Sequence, residues 1–131
     1  WLTSELMPTL RELRVPFTLA HLGMNLARDG AQAPGFRQLL DLLRHGNGYC
    51  RVKLTGLYRI STEPDLKDIT PMVHALVDAA PDRLIWGSDY PHLSFEQHSS
   101  VNLFNMLGEY VPDAATRQRI LADNPAELFD F

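Results

Sequence analysis

Three short apolar runs, evenly spaced along the chain, constrain the fold more than any other feature. Val15–Leu22 (VPFTLAHL), Cys50–Thr55 (CRVKLT) and Arg83–Ser88 (RLIWGS) are too short for helices, and glycines punctuate them at Gly23, Gly56 and Gly87. The stretches between them are helical in period. Gly35–His45 puts Phe36, Leu39, Leu40 and Leu43 on one stripe and stops at Gly46. Thr70–Ala80 does the same with Met72, Val73, Leu76 and Val77, and Pro71 sits near its first turn. Thr3–Leu13 carries Leu6, Leu10 and Leu13 at helical spacing, with Thr3 or Ser4 as its cap. Ser99–Tyr110, Ala114–Ala122 and Asn124–Phe129 read as closing helices. The order α-β-α-β-α-β-α-α predicts a parallel sheet in an α/β fold.

Three strands alone do not close such a domain, because a doubly wound sheet or an eight-stranded barrel needs several more. The chain opens on Trp1 rather than Met and enters a helix-like segment directly. The expectation is that residues 1–131 form a partial domain, the C-terminal part (about three to four βα units) of a (β/α)8 TIM barrel. An independent small α/β domain is the alternative.

Composition narrows the partners. The 131 residues are 45% hydrophobic and 21% charged, with a formal net charge of −4 and no basic run. That balance argues against nucleic acid or an anionic membrane as partner. No apolar stretch is long enough for a membrane span or a signal-peptide core. The lone cysteine, Cys50, excludes an internal disulfide and makes no metal-cluster pattern, so a cytoplasmic location is the default. A homo-oligomer is compatible with all of this.

Each predicted strand delivers reactive groups at its C-terminal end, where parallel α/β folds gather ligands and catalysts. The first ends on His21. The second leads to Lys53, Tyr58 and Arg59, and the third to Asp89 and His92. Imidazole and carboxylate are common ligands for a catalytic divalent metal, and the same pair works as acid and base near neutrality. A guanidinium suits bidentate holding of a substrate carboxylate. Each has a plainer role open to it: a packed histidine, a turn-forming aspartate, a surface arginine. Lys53 points either into a barrel or toward the helices. His45 lies in a last helical turn, where its charge suits the dipole. His74 and His98 read as surface residues, Cys50 and Trp86 as core.

Four segments together resemble the C-terminal half of the amidohydrolase-related family of TIM-barrel hydrolases. They are TLAHLGMN (Thr18–Asn25), RVKLTGLYRIS (Arg51–Ser61), DRLIWGSDYPH (Asp82–His92) and ILADNPAELFDF (Ile120–Phe131). The nearest branch is the 2-pyrone-4,6-dicarboxylate hydrolase and lactonase group. The resemblance implies that Asp89 is the general base and that His21 and Asp89 are metal ligands where a divalent metal such as zinc or manganese is bound. It implies that Arg59, Tyr58 and His92 contact a small carboxylated substrate. Metal dependence stays open, since that branch differs from others in the superfamily. Two departures stand out: the loop after His21 carries Met24 and Asn25, and a histidine occupies position 92. The family's His-x-His pair occurs nowhere in this chain, so it is expected either upstream or to be absent.

The activity so implied is hydrolysis of a lactone or related carboxylated compound, by water attack with Asp89 as base. A decarboxylase of the same superfamily is the rival, and a catalytically incomplete barrel fragment is the non-enzymatic alternative. An open barrel seam leaves strand edges and apolar faces uncovered, which predicts aggregation, dimerisation or weak activity for this chain alone.

Overall fold

The computed structural model describes residues 5–131. The predicted cap at Thr3 or Ser4 lies outside the described residues. Helix α1 (Met7–Glu12) precedes strand β1 (Phe17–Leu19), and helix α2 (Pro34–His45) leads to β2 (Cys50–Leu54). Helix α3 (Thr70–Ala79), strand β3 (Leu84–Trp86) and helix α4 (Ser100–Tyr110) follow, with α5 (Ala114–Gln118) and α6 (Asn124–Phe129) closing the chain. The strands are parallel and ordered β1-β2-β3, as the alternating pattern predicts.

The register explains the apolar runs. Phe17 pairs with Cys50, Leu19 with Val52, Val52 with Leu84, and Leu54 with Trp86, and this face packs on the helices. The stripe residues Phe36, Leu39, Leu76, Val73 and Met72 meet it and are almost wholly buried. Full burial of each such side chain contributes about 1.5–3 kcal/mol. On the opposite face Thr18 pairs with Arg51 and Lys53 with Ile85. Alternation therefore turns Lys53 away from the helix-packed core.

Two elements depart from the sequence reading. β1 is three residues long instead of spanning Val15–Leu22, because His21 and Leu22 both adopt φ 52° and turn the chain out of the strand. The closing helices are not separate. Arg119–Asp123 forms a π-helical turn that joins α5 to α6. Pro125, near the start of α6, lacks the N–H that a regular helix would use, and the wider turn absorbs that loss. Among the described residues no helix is long and apolar enough to cross a membrane.

The DNPAELF segment has a structural task. The buried Asn124 donates through Nδ2 to the carbonyls of Pro81 (2.8 Å) and Leu84 (2.7 Å). It thus fastens the N-terminal end of β3 to the last helix. Arg51 and Arg83 both donate to the Gly48 carbonyl beside it.

Candidate active site

At the other end of the sheet, the chain leaves each strand through tight turns that converge. Ala20 is extended, and the left-handed residues His21, Leu22, Gly23 and Met24 then fold back beneath it. The buried Asn25 closes this turn by donating to the Leu22 carbonyl at 2.9 Å. His21 Nδ1 lies 3.0 Å from the Thr55 carbonyl, an acceptor, so Nδ1 carries a proton and Nε2 is the nitrogen that faces the site.

After β2 the backbone turns at Gly56 (φ 55°), and glycine is required there for two reasons. Its φ is left-handed, and a Cβ would sit 2.4 Å from His21 Nδ1 and 2.8 Å from Asp89 Oδ2. The turn Leu57–Arg59 then presents Tyr58 and Arg59. Asp89 lies past β3, at φ 60°. Its Oδ2 accepts from the Tyr58 hydroxyl and from Arg59 Nε, each at 2.7 Å. Among the described residues its Oδ1 has no such donor, and it faces His21 Nε2 at 4.0 Å.

Electrostatics follow from these contacts. Burial opposes charge on Asp89, yet the hydrogen bonds from Tyr58 and Arg59 and the nearby His21 hold its carboxyl below the usual range. Asp89 is therefore a carboxylate at neutral pH. Burial, reinforced by the hydrogen bond to Asp89, pushes the Tyr58 phenol up to about 12, so Tyr58 stays a donor. With its proton on Asp89, the phenol oxygen accepts from His92 Nδ1 at 3.2 Å. His92 Nε2 lies 3.1 Å from the Ser100 hydroxyl. The donors His92→Tyr58→Asp89 point their hydrogens at the carboxylate.

Five of the six residues picked from the strand ends, His21, Tyr58, Arg59, Asp89 and His92, thus meet in one place, while Lys53 stays within β2 opposite Ile85. Tyr58 and His92 are buried and bonded to the cluster, while Arg59 and Asp89 keep about a quarter of their side chains exposed, 27% and 22%. His45 and His74 are exposed and remote from it, and Cys50 is buried at the opposite end of β2. His98 is a correction. Expected at the surface, it stacks on Tyr58 with ring centroids 4.7 Å apart and planes at 14°. Burial lowers its pKa, with a further push from His92. Phe95 packs on the same ring at 4.8 Å, and the Arg59 guanidinium lies over both rings. The three-residue spacing of His92, Phe95 and His98 is the only trace of this in the sequence. Beside the cluster, Tyr90, His92, His98 and Ser100 line an open cleft of about 330 Å³.

The donor set fits a metal in part. His21 Nε2 and Asp89 Oδ1 are free and face each other, and the Thr55 carbonyl orients the imidazole as second-shell acceptors do. Among the described residues no group of three His, Cys, Asp or Glu side chains gathers to complete a site. A catalytic zinc takes about three protein ligands, so these residues alone fall short of one.

Comparison with known proteins gives the cluster a context. The amidohydrolase family model, Amidohydro_2, matches residues 5–131. The chain is 39% identical over 130 residues to a 4-sulfomuconolactone hydrolase of Hydrogenophaga intermedia, covering 95% of this chain and 42% of that protein. It is 27% identical over 135 residues to a 2-pyrone-4,6-dicarboxylate hydrolase of Comamonas testosteroni, covering 95% and 44% respectively. A crystal structure of a candidate 2-pyrone-4,6-dicarboxylic acid hydrolase from Acinetobacter baumannii, solved with citric acid bound, superposes with a TM-score of 0.82 at 28% identity. That match covers 97% of this chain and 48% of the other. The chain thus spans less than half the length of the curated relatives it matches.

Proposed function

The chain belongs to the amidohydrolase family, and from that premise we propose that its cluster serves a hydrolase that opens a small, anionic lactone. The observation that carries the reading is the asymmetry of Asp89. Oδ2 is held by Tyr58 and Arg59, while Oδ1 is left to face His21 across 4.0 Å. A carboxylate fixed at one oxygen and free at the other suits a general base that must meet water at a set angle.

In this reading Oδ1 takes a proton from water as the water oxygen bonds to the lactone carbonyl carbon. The carbonyl π electrons move to oxygen, giving a tetrahedral oxyanion. Collapse re-forms the carbonyl and breaks the ring C–O bond, and the proton on Asp89 passes to the departing ring oxygen. His21, protonated at Nε2, would donate to the oxyanion. Arg59 spends Nε on Asp89, which leaves its Nη groups to hold a substrate carboxylate or sulfonate. Where a divalent cation such as zinc or manganese is bound instead, His21 Nε2 and Asp89 Oδ1 would help hold it with donors beyond the described residues, and it would supply the carbonyl polarisation in place of the His21 proton. Relatives that act on a sulfonated lactone and on a pyrone dicarboxylate support an anionic cyclic ester as the substrate class.

The test is a panel of carboxylated, sulfonated and uncharged lactones offered to the full-length protein. Asp89→Asn is expected to lower kcat about 10²–10⁴-fold on the anionic members. Near-normal turnover by that variant overturns the role of Asp89. Release of carbon dioxide instead of ring opening would move the reaction to decarboxylation.

A further inference from the structure

We propose that His98 is a positioning residue: stacked on Tyr58, it holds the phenol on Asp89 and so fixes the aim of that carboxylate. The inference rests on the reading of Asp89 as the base. Residues 89–98 run through three linked turns. The His92 N–H donates to the Asp89 carbonyl (3.0 Å), the Phe95 N–H to that of His92 (2.7 Å), and the His98 N–H to that of Phe95 (3.0 Å). A period of three brings His92, Phe95 and His98 to the same side of the loop. There all three meet the Tyr58 ring, at centroid distances of 5.8, 4.8 and 4.7 Å.

The consequence is a closed circuit. Asp89 begins the ladder of turns, His98 ends it, and the ring under His98 carries the hydroxyl that holds Asp89 Oδ2. His98 is the member that lies nearly parallel to Tyr58, at 14°, so it covers the face of the ring. The phenol has one polar end and an apolar body, and packing on the body helps set the angle at which the hydroxyl arrives. Arg59, the second holder of Oδ2, lies over the same stack at 5.3 Å from Tyr58 and 5.2 Å from Phe95. Loss of the His98 ring therefore loosens the Tyr58 support of the base without removing any group from the reacting atoms. Because His98 also lines the adjoining cleft, direct contact with substrate is the competing role.

Steady-state kinetics and NMR on the full-length protein separate the two. His98→Ala is expected to lower kcat about 10- to 100-fold while KM changes little. His98→Phe restores a flat ring without nitrogen and is expected to recover most of kcat. If His98→Ala does not fold, His98→Leu fills the volume without a flat ring and is expected to show the same loss. A raised KM at unchanged kcat, or a Phe variant as slow as the Ala variant, overturns the proposal. The second readout needs no turnover: ring resonances of labelled Tyr58 should shift in His98→Ala or His98→Leu and return in His98→Phe. Tyr58 resonances that ignore the substitution also overturn it. If the wild type opens no lactone, the functional reading fails, and the Tyr58 resonances still decide the role of His98.

Discussion

Strand β2 and the turn after it place an arginine at each end of the sheet, and the two are spent differently. At the N-terminal end Arg51 is buried and turns both Nη groups inward, to the Gly48 carbonyl at 2.9 Å and to Glu127 at 3.0 Å. Arg83 joins it on Gly48, and Asn124 ties two further carbonyls. The positive φ of that turn falls on Gly48, at 85°. At the C-terminal end Arg59 pairs with Asp89 through Nε, and Asp89 Oδ1 and His21 Nε2 are left facing each other. There the left-handed residues include His21, Leu22, Met24, Asp89, His92 and Ser94, none of them glycine. Such conformations cost about 1–3 kcal/mol each and persist only where the surroundings enforce them. The lower end is built to close, and the upper end is built to hold groups open.

The comparison breaks first at Asn124. Asn124→Ala removes two hydrogen bonds and leaves the Pro81 and Leu84 carbonyls without that donor. It should cost about 2–3 kcal/mol in urea unfolding, with turnover per folded molecule unchanged. If turnover falls as steeply as stability, the two ends are one unit.

Gly56→Ala probes the opposite end. A left-handed alanine costs about 1–2 kcal/mol before the overlap of its Cβ with His21 and Asp89 is relieved, so stability should fall by at least that much. Activity should fall about 100-fold, because the added methyl meets both His21 and Asp89. Stability lost with activity kept would mean that the cluster tolerates displacement.

Acid titration sharpens the contrast further. Asp89 at the upper end and Asp82 at the lower are both held below the usual carboxylate range. In each, burial raises the pKa, but hydrogen bonds and positive charge outweigh it: Tyr58 and Arg59 for Asp89, Arg83 for Asp82. A depressed folded pKa gives stability that is complete above the unfolded carboxylate pKa and is lost as pH falls through the folded value. Asp82→Asn and Asp89→Asn should each flatten the acid limb of stability measured by denaturant titration across that range. An unchanged slope in Asp89→Asn would mean that its pairing is no stronger folded than unfolded.

These two ends were not equally legible in the sequence. Helical periodicity locates α2 and α3, where burial falls on one stripe, and short apolar runs closed by glycines locate β2 and β3. The rule that strand ends carry chemistry brought out His21, Tyr58, Arg59, Asp89 and His92, and the fold does bring them together. What stayed hidden depends on backbone turns and distant partners. β1 reads too long in the sequence because His21 and Leu22 take left-handed φ without being glycines. Asn124 looked like part of a short helix because its acceptors lie about forty residues earlier, on Pro81 and Leu84. His98 reads as a surface residue because only a ladder of turns folds it back onto Tyr58.

The smallest expected effect concerns the Arg51–Glu127 pair. Glu127 is exposed over 68% of its side chain, while Arg51 is 9% exposed. Water already screens the glutamate, so Glu127→Gln should cost no more than about 0.5 kcal/mol. The buried guanidinium keeps its bond to Gly48 in that variant, and the amide oxygen of glutamine can still accept from Nη2. Its Nε already meets no acceptor among the described residues, so the site tolerates incomplete pairing. A large loss in the glutamine variant, read by thermal unfolding, would show that the lower end depends on charge. The upper end would then be distinguished from it only by the atoms it leaves free.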